Sequence, residues 1–157
     1  MSDSDFLPTN PIVREATLRL KKLRGVPESA VEGFSDALAA SSASVLQARA
    51  DIVFFLFYGN LTVKVQTAPY TNKKYDVDSW GLGAAGGTAF GGMYTGYDNW
   101  DSFFKLVTSY HVQGFADGGG MLQVTWFISN GTPVGQFNGG MVGAAGIEAG
   151  GSGKWTG

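Results

Sequence analysis

Trp80-Gly-Leu82-Gly-Ala-Ala-Gly-Gly-Thr88-Ala-Phe90-Gly-Gly-Met93-Tyr94 places six glycines inside one alternating segment. A second run, Val134-Gly-Gln-Phe137-Asn-Gly-Gly-Met141-Val-Gly-Ala-Ala-Gly-Ile147, repeats the pattern. The chain holds 24 glycines in 157 residues, most of them in its second half. Glycine weakens a strand, because it loses more backbone freedom on folding and offers no side chain to pack. Strands this rich in glycine need sharp bends or the close approach of another surface, and a small closed barrel supplies both.

The flanking sequence supports strands. From about residue 50 the hydrophobic period is two. Val53–Phe57 and Leu61–Gln66 read as a hairpin turning at Tyr58-Gly59-Asn60, with Lys64 and Gln66 on a wet face. Trp80–Leu82 onward, Ala89–Tyr97, Leu106–Phe115, Met121–Ile128, Thr132–Asn138 and Met141–Ala149 continue the series. Asp117-Gly118 and Asn130-Gly131 are hairpin-turn dipeptides. The expected fold is mainly β: a compact eight-stranded antiparallel β-barrel with an N-terminal helical segment, closed to remove its edges. On one strand Leu122, Val124 and Trp126 share a face without a polar group and are expected in the core. Some of Gly135, Gly139, Gly143 and neighbouring positions are expected where a Cβ would collide with an adjacent strand or the helical arm.

Residues 1–10 read as a flexible tail, 11–50 as a helical arm and 51–157 as the barrel domain. Asn10 is a suitable N-cap with Pro11 at the first helical position. Ile12, Val13, Ala16, Leu20 and Leu23 fall on one helical face, and Gly25 ends the helix. A second helix starts at Pro27-Glu28, with Ala30, Val31, Phe34, Ala37, Leu38 and later Val45 as its apolar stripe. Arg14, Arg19, Lys21, Lys22 and Arg24 make the first helix basic, which suits an anionic membrane surface. The competing expectation is that its apolar face packs on the sheet and its basic face is solvated.

With a net charge of −2 and 15% charged residues, general nucleic-acid binding is disfavoured. Without cysteine there is neither a disulfide nor a thiolate zinc site. The acidic start lacks an apolar h-region, so no Sec-type signal peptide is expected, which suits a cytoplasmic chain or a signal-independent secretion route. Gly81-Leu-Gly83-Ala-Ala-Gly86 fits a dinucleotide fingerprint, but Gly87-Thr-Ala-Phe-Gly-Gly cannot begin the helix that site needs. Gly151-Ser-Gly153-Lys154-Trp155 fails the phosphate-loop spacing. His111, the single histidine, reads as a packed strand residue. Asp98 is expected to cap a short helical turn with Asp101 in its first turn, and Asp76-Val-Asp78 lacks further oxygen ligands for calcium. No catalytic residue, metal site or cofactor is expected.

From about Asp76 to Trp155 the sequence resembles the virulence-associated protein (Vap) family of pathogenic rhodococci. Leu122-Gln-Val124-Thr-Trp126-Phe127-Ile-Ser-Asn-Gly131-Thr-Pro-Val-Gly135-Gln-Phe137-Asn-Gly139-Gly-Met-Val-Gly143 carries the likeness, with the closing Gly150-Gly-Ser152-Gly153-Lys-Trp155. The Ala89-Phe90-Gly-Gly-Met-Tyr94 segment and the helical turn after it are also similar. The resemblance implies an eight-stranded barrel, a variable N-terminal part outside it, no catalytic residues, and action on host membranes or amphiphiles. The expected function is therefore a non-enzymatic effector. Its expected partners are membrane lipid, a small amphiphile or a protein. The alternatives are a barrel carrier of a small apolar ligand and a protein-interaction module of toxin or inhibitor type.

Overall fold

The structure, a computed structural model, describes residues 7–20, 28–115, 120–141 and 146–157. Helix α1 (Pro11–Leu18) starts as expected: the Asn10 side chain accepts from the Ile12 amide at 2.8 Å, with Pro11 at the first turn. The expected end at Gly25 lies outside the described residues. Helix α2 (Glu28–Ala40) presses Phe34 and Leu38 onto Tyr94. Ala30, Ala37 and Val45 of its expected stripe are exposed, and the side chain of Val31 is not among those described.

Six antiparallel strands follow: β1 (Leu46–Val65), β2 (Lys74–Thr95), β3 (Ser109–Phe115), β4 (Met121–Phe127), β5 (Pro133–Met141) and β6 (Ile147–Ser152). The short helix α3 (Trp100–Leu106) joins β2 to β3. The expectation of eight strands fails at two places. No hairpin forms at Tyr58-Gly59-Asn60; Gly59 lies in the ladder opposite Ser79, and β1 pairs with β2 from Leu46↔Met93 to Lys64↔Lys74. Likewise Trp80–Leu82 and Ala89–Tyr97 belong to the single strand β2. The glycines let these strands bend rather than break. A Cβ on Gly59 would collide with the carbonyl of Val53, and one on Gly81 with that of Glu148.

Because β2 bends, its two halves meet different neighbours: Trp80–Gly83 pair with β6, and Ala89–Thr95 with β5. The pairings run round as β2–β5–β4–β3–β6 and back to β2. Two further boundaries move. Leu106 ends α3 instead of opening a strand, and Met141 ends β5 instead of opening β6. The α3 cap is Asn99, whose side chain accepts from the Ser102 amide at 2.8 Å, and not Asp98, which accepts from the Ser42 hydroxyl at 3.4 Å.

The enclosed face is filled with aromatic rings. Trp126 lies 5.8 Å from Tyr75, 5.5 Å from Phe103 and 5.3 Å from Trp155, ring centre to ring centre. Leu122, Val124 and Trp126 are fully buried in this core, as expected. Gly135 faces the Phe103 ring of α3, which a Cβ would strike, and a Cβ on Gly139 would sit 2.8 Å from the Phe90 carbonyl. Close approach thus explains both glycines; Gly143 lies outside the described residues.

Candidate functional site

An exposed apolar ridge dominates the outer surface of the β1–β2 ribbon. Along β1, Ile52 and Phe54 point inward while Val53 and Phe55 point out, 71% and 72% exposed. The alternation then breaks. Leu56 adopts a left-handed backbone, with φ of 62°, and the register shifts between Leu56 and Tyr58. A branched non-glycine residue in that region costs roughly 1–2 kcal/mol. The result is that Phe55, Leu56, Phe57 and Tyr58 are all exposed. Strain that places four apolar side chains in water points to use of that surface.

The partner strand leaves the ridge open. Gly86, Ala84 and Gly83 lie opposite Val53, Phe55 and Leu56, so nothing on β2 covers them. Beyond them Trp80 packs on Tyr58 at 4.7 Å, and Leu82 and Phe90 are also exposed. Contiguous apolar surface of this kind marks interaction sites, and Trp and Tyr suit the boundary between water and an apolar phase. Sequence reading missed the ridge. An unbroken apolar run such as Val53–Tyr58 has the same pattern as a doubly buried strand.

The charges beside the ridge are mostly acidic. Asp78 hydrogen-bonds the Tyr58 hydroxyl and holds its pKa above the usual phenol range. Glu148 stands opposite Leu82 and is exposed. Asp51 is bound by Arg49 at 3.0 Å and by the Thr88 hydroxyl at 2.5 Å; the Arg49 hydrogen bond leads in lowering its pKa. Asp76 is likewise lowered, first by the Asn60 amide at 3.1 Å and further by Lys74 at 3.6 Å. Asp51, Asp76 and Asp78 are spent on local partners, and among the described residues no cluster could hold a metal ion.

A second feature lies under α1. The outer faces of β3, β4 and β5 align Gln113–Gln123–Asn138 in one row and His111–Thr125–Gln136 in the next. All six are buried. The Gln113 amide donates to Gln123 Oε1 at 2.7 Å and to the Ala16 carbonyl at 2.8 Å. Gln123 donates to Asn138 Oδ1 at 3.0 Å and reaches Thr17 Oγ1 at 3.3 Å. Asn138 donates to Gln136 Oε1 at 2.9 Å; Gln136 donates to Thr17 Oγ1 at 3.1 Å and to Thr125 Oγ1 at 3.2 Å. Small apolar contacts flank this band: Val13 and Ala16 with Met121 and Phe115, and Leu20 and Leu18 with Phe127.

The basic residues expected to touch membrane are therefore only partly placed. Val13, Ala16 and Leu20 are buried against the sheet, while Ile12 is exposed. Arg14 pairs with Asp36 of α2 at 3.3 Å, and the Arg19 guanidinium lies 4.5 Å from the centre of the Phe115 ring. Lys21, Lys22, Leu23 and Arg24 lie outside the described residues. The Gly81–Gly86 fingerprint sits within β2, which runs on as strand to Thr95 instead of opening a helix at the glycines.

Fold and surface define a class: a mainly antiparallel β protein with an aromatic core, whose outer face bears an apolar ridge and a helix-covered polar band. A family model described as Rhodococcus equi virulence-associated protein matches residues 14–156, and the chain belongs to that family. The match reaches well beyond the Asp76–Trp155 stretch that carries the sequence likeness. Two solved structures share the fold. For VapB from the intracellular pathogen Rhodococcus equi the TM-score is 0.60 at 22% identity, covering 72% of this chain and 96% of that one. For VapD from the same organism it is 0.61 at 22% identity, covering 72% and 97%. Comparison with curated proteins returns no match.

Proposed function

We propose that this chain is a non-enzymatic effector that binds membranes or amphiphiles by entering their apolar layer with the β1–β2 ridge. The observation that carries the reading is the exposure of Phe55, Leu56, Phe57 and Tyr58 together, obtained through a left-handed leucine. Each such side chain contributes roughly 1.5–3 kcal/mol on full burial, so a few of them suffice to hold a chain at an interface. The basic set Arg14, Arg19, Lys21, Lys22 and Arg24 is a second contact, subordinate to the ridge. The carrier reading has less support, because Trp126, Phe103, Tyr75 and Trp155 occupy the space an enclosed ligand would need. A cleft of about 230 Å³ beside Leu38, Val45 and Tyr94 is smaller than the roughly 300 Å³ at which small-molecule sites begin.

Tryptophan fluorescence tests the ridge directly. Trp100, Trp126 and Trp155 are buried and Trp80 is exposed, so a lipid-induced blue shift reports Trp80. Titration with phosphatidylcholine vesicles is expected to give that shift together with co-sedimentation. Phe55→Ser combined with Phe57→Ser is expected to weaken binding by more than about tenfold. An unchanged spectrum and no sedimentation at any lipid concentration would rule the reading out. Capture of an exposed apolar peptide instead would assign the ridge to a protein partner.

A further inference from the structure

We propose that α1 is a releasable latch: it is stored on the polar band of β3–β5 and leaves that band for an anionic lipid surface. The inference rests on the membrane reading and names a second element that acts in it. Three observations support it.

First, the covered face is hydrophilic. Gln113, Gln123, Thr125, Gln136 and Asn138 bond to one another and to α1 through Thr17 and the Ala16 carbonyl. Uncovering a sheet of amides and hydroxyls exchanges these bonds for bonds to water, which is nearly balanced, whereas uncovering apolar surface is not. Gln113 Oε1 is buried and has no partner among the described residues, so it gains a hydrogen bond when α1 leaves. The apolar part of the contact is confined to the two small clusters around Met121 and Phe127, separate from the main core.

Second, the related fold is complete with less than the whole of this chain. VapB and VapD are matched over 96% and 97% of their solved lengths by 72% of this chain, so more than a quarter of it has no counterpart there.

Third, charge separates the first 25 residues, the α1 arm, from the body that follows. The first 25 residues carry five basic and three acidic side chains, and the remainder carries six basic and ten acidic. An anionic surface attracts the arm and repels the body. Arg14 of α1 and Arg19 at its C-cap tie the helix to Asp36 and Phe115, and lipid phosphates or carboxylates compete for both. Release frees Val13, Ala16 and Leu20 to join Ile12 on a single apolar face.

Met121 reports the state of the latch, because it is buried under α1 against Val13 and Ala16, while Met93 and Met141 lie in the main core. Full-length protein is treated with peroxide and sulfoxidation is read at each methionine by mass spectrometry. Phosphatidylserine–phosphatidylcholine vesicles at low salt are expected to speed Met121 oxidation about tenfold or more relative to Met93. Phosphatidylcholine vesicles alone, or high salt, are expected to leave the ratio unchanged. Thr17→Val withdraws an acceptor from Gln123 and Gln136, so it should speed Met121 oxidation on the order of tenfold without lipid, with Met93 unaffected. If the protein sediments with phosphatidylserine vesicles and Met121 stays protected, the latch is wrong and the ridge reading stands. If it sediments with no vesicle, both fall.

Discussion

Leu56 is where one residue sets the surface. Its left-handed backbone turns a regular alternation into four consecutive exposed apolar side chains. Glycine adopts that region without penalty, at a cost of roughly 0.5–1 kcal/mol elsewhere in a strand. Leu56→Gly is therefore expected to leave the melting temperature unchanged or raise it, while weakening vesicle binding. A clear fall in melting temperature would show that the Leu56 side chain stabilises the bend. Trp126 is the opposite case, fully buried between Tyr75, Phe103 and Trp155. Trp126→Ala is expected to cost about 3–5 kcal/mol in urea unfolding. Its indole N–H has no partner among the described residues, so Trp126→Phe should cost far less, the lost volume being offset by a relieved buried donor.

At the scale of elements, α1 shows how a helix with an ordinary amphipathic pattern meets an unusual surface. Val13, Ala16 and Leu20 of its apolar face dock on the sheet while Ile12 stays exposed, and the centre of the contact is polar. Replacing Gln123 alone by Leu leaves the Gln113 and Asn138 amide groups without one of their partners. It is expected to destabilise the docked arm by roughly 1–3 kcal/mol. Replacing Gln113, Gln123, Gln136 and Asn138 together by apolar residues of similar size is expected to be neutral or stabilising. Hydrogen exchange of the α1 amides, compared with those of β4, separates the two outcomes. The band was legible in outline: His111 and Gln113, Gln123 and Thr125, Gln136 and Asn138 each stand two apart on successive strands. Read alone, that spacing gives a wet outer face. Only the docking of α1 makes it a buried one.

At the scale of the whole molecule, the aromatic core is expected to set the alkaline limit of the fold. Burial pushes the Tyr110 pKa up to about 12, and burial also raises Tyr75, which lies 5.5 Å from it. A phenol whose pKa is raised by folding binds its proton more tightly folded than unfolded. Its contribution is therefore full below the unfolded value of about 10 and is lost as pH rises toward the folded value. Stability is expected to fall steeply as pH rises above about 10, and Tyr75→Phe should flatten that fall. Denaturant midpoints measured on either side of that pH check it; equal slopes for both proteins would show that Tyr75 is not the source.

The β class, the Vap family likeness, the Asn10 cap of α1, the buried face of Leu122, Val124 and Trp126, and the crowding at Gly135 and Gly139 are legible in the linear chain. The likeness rests on matching motifs; the rest follows from local periodicity, capping chemistry or the exclusion of a Cβ, which a linear pattern records. Only the tertiary packing settled that Val53 and Phe55–Tyr58 face outward while Phe54 faces in. It also decided that Gly59 bends a strand instead of ending one, so six strands stand where eight were expected, and that a polar band lies under α1. Those outcomes depend on which surface meets which. A bend and a turn use the same glycine, and a run of apolar residues is the same run whether or not another layer covers it.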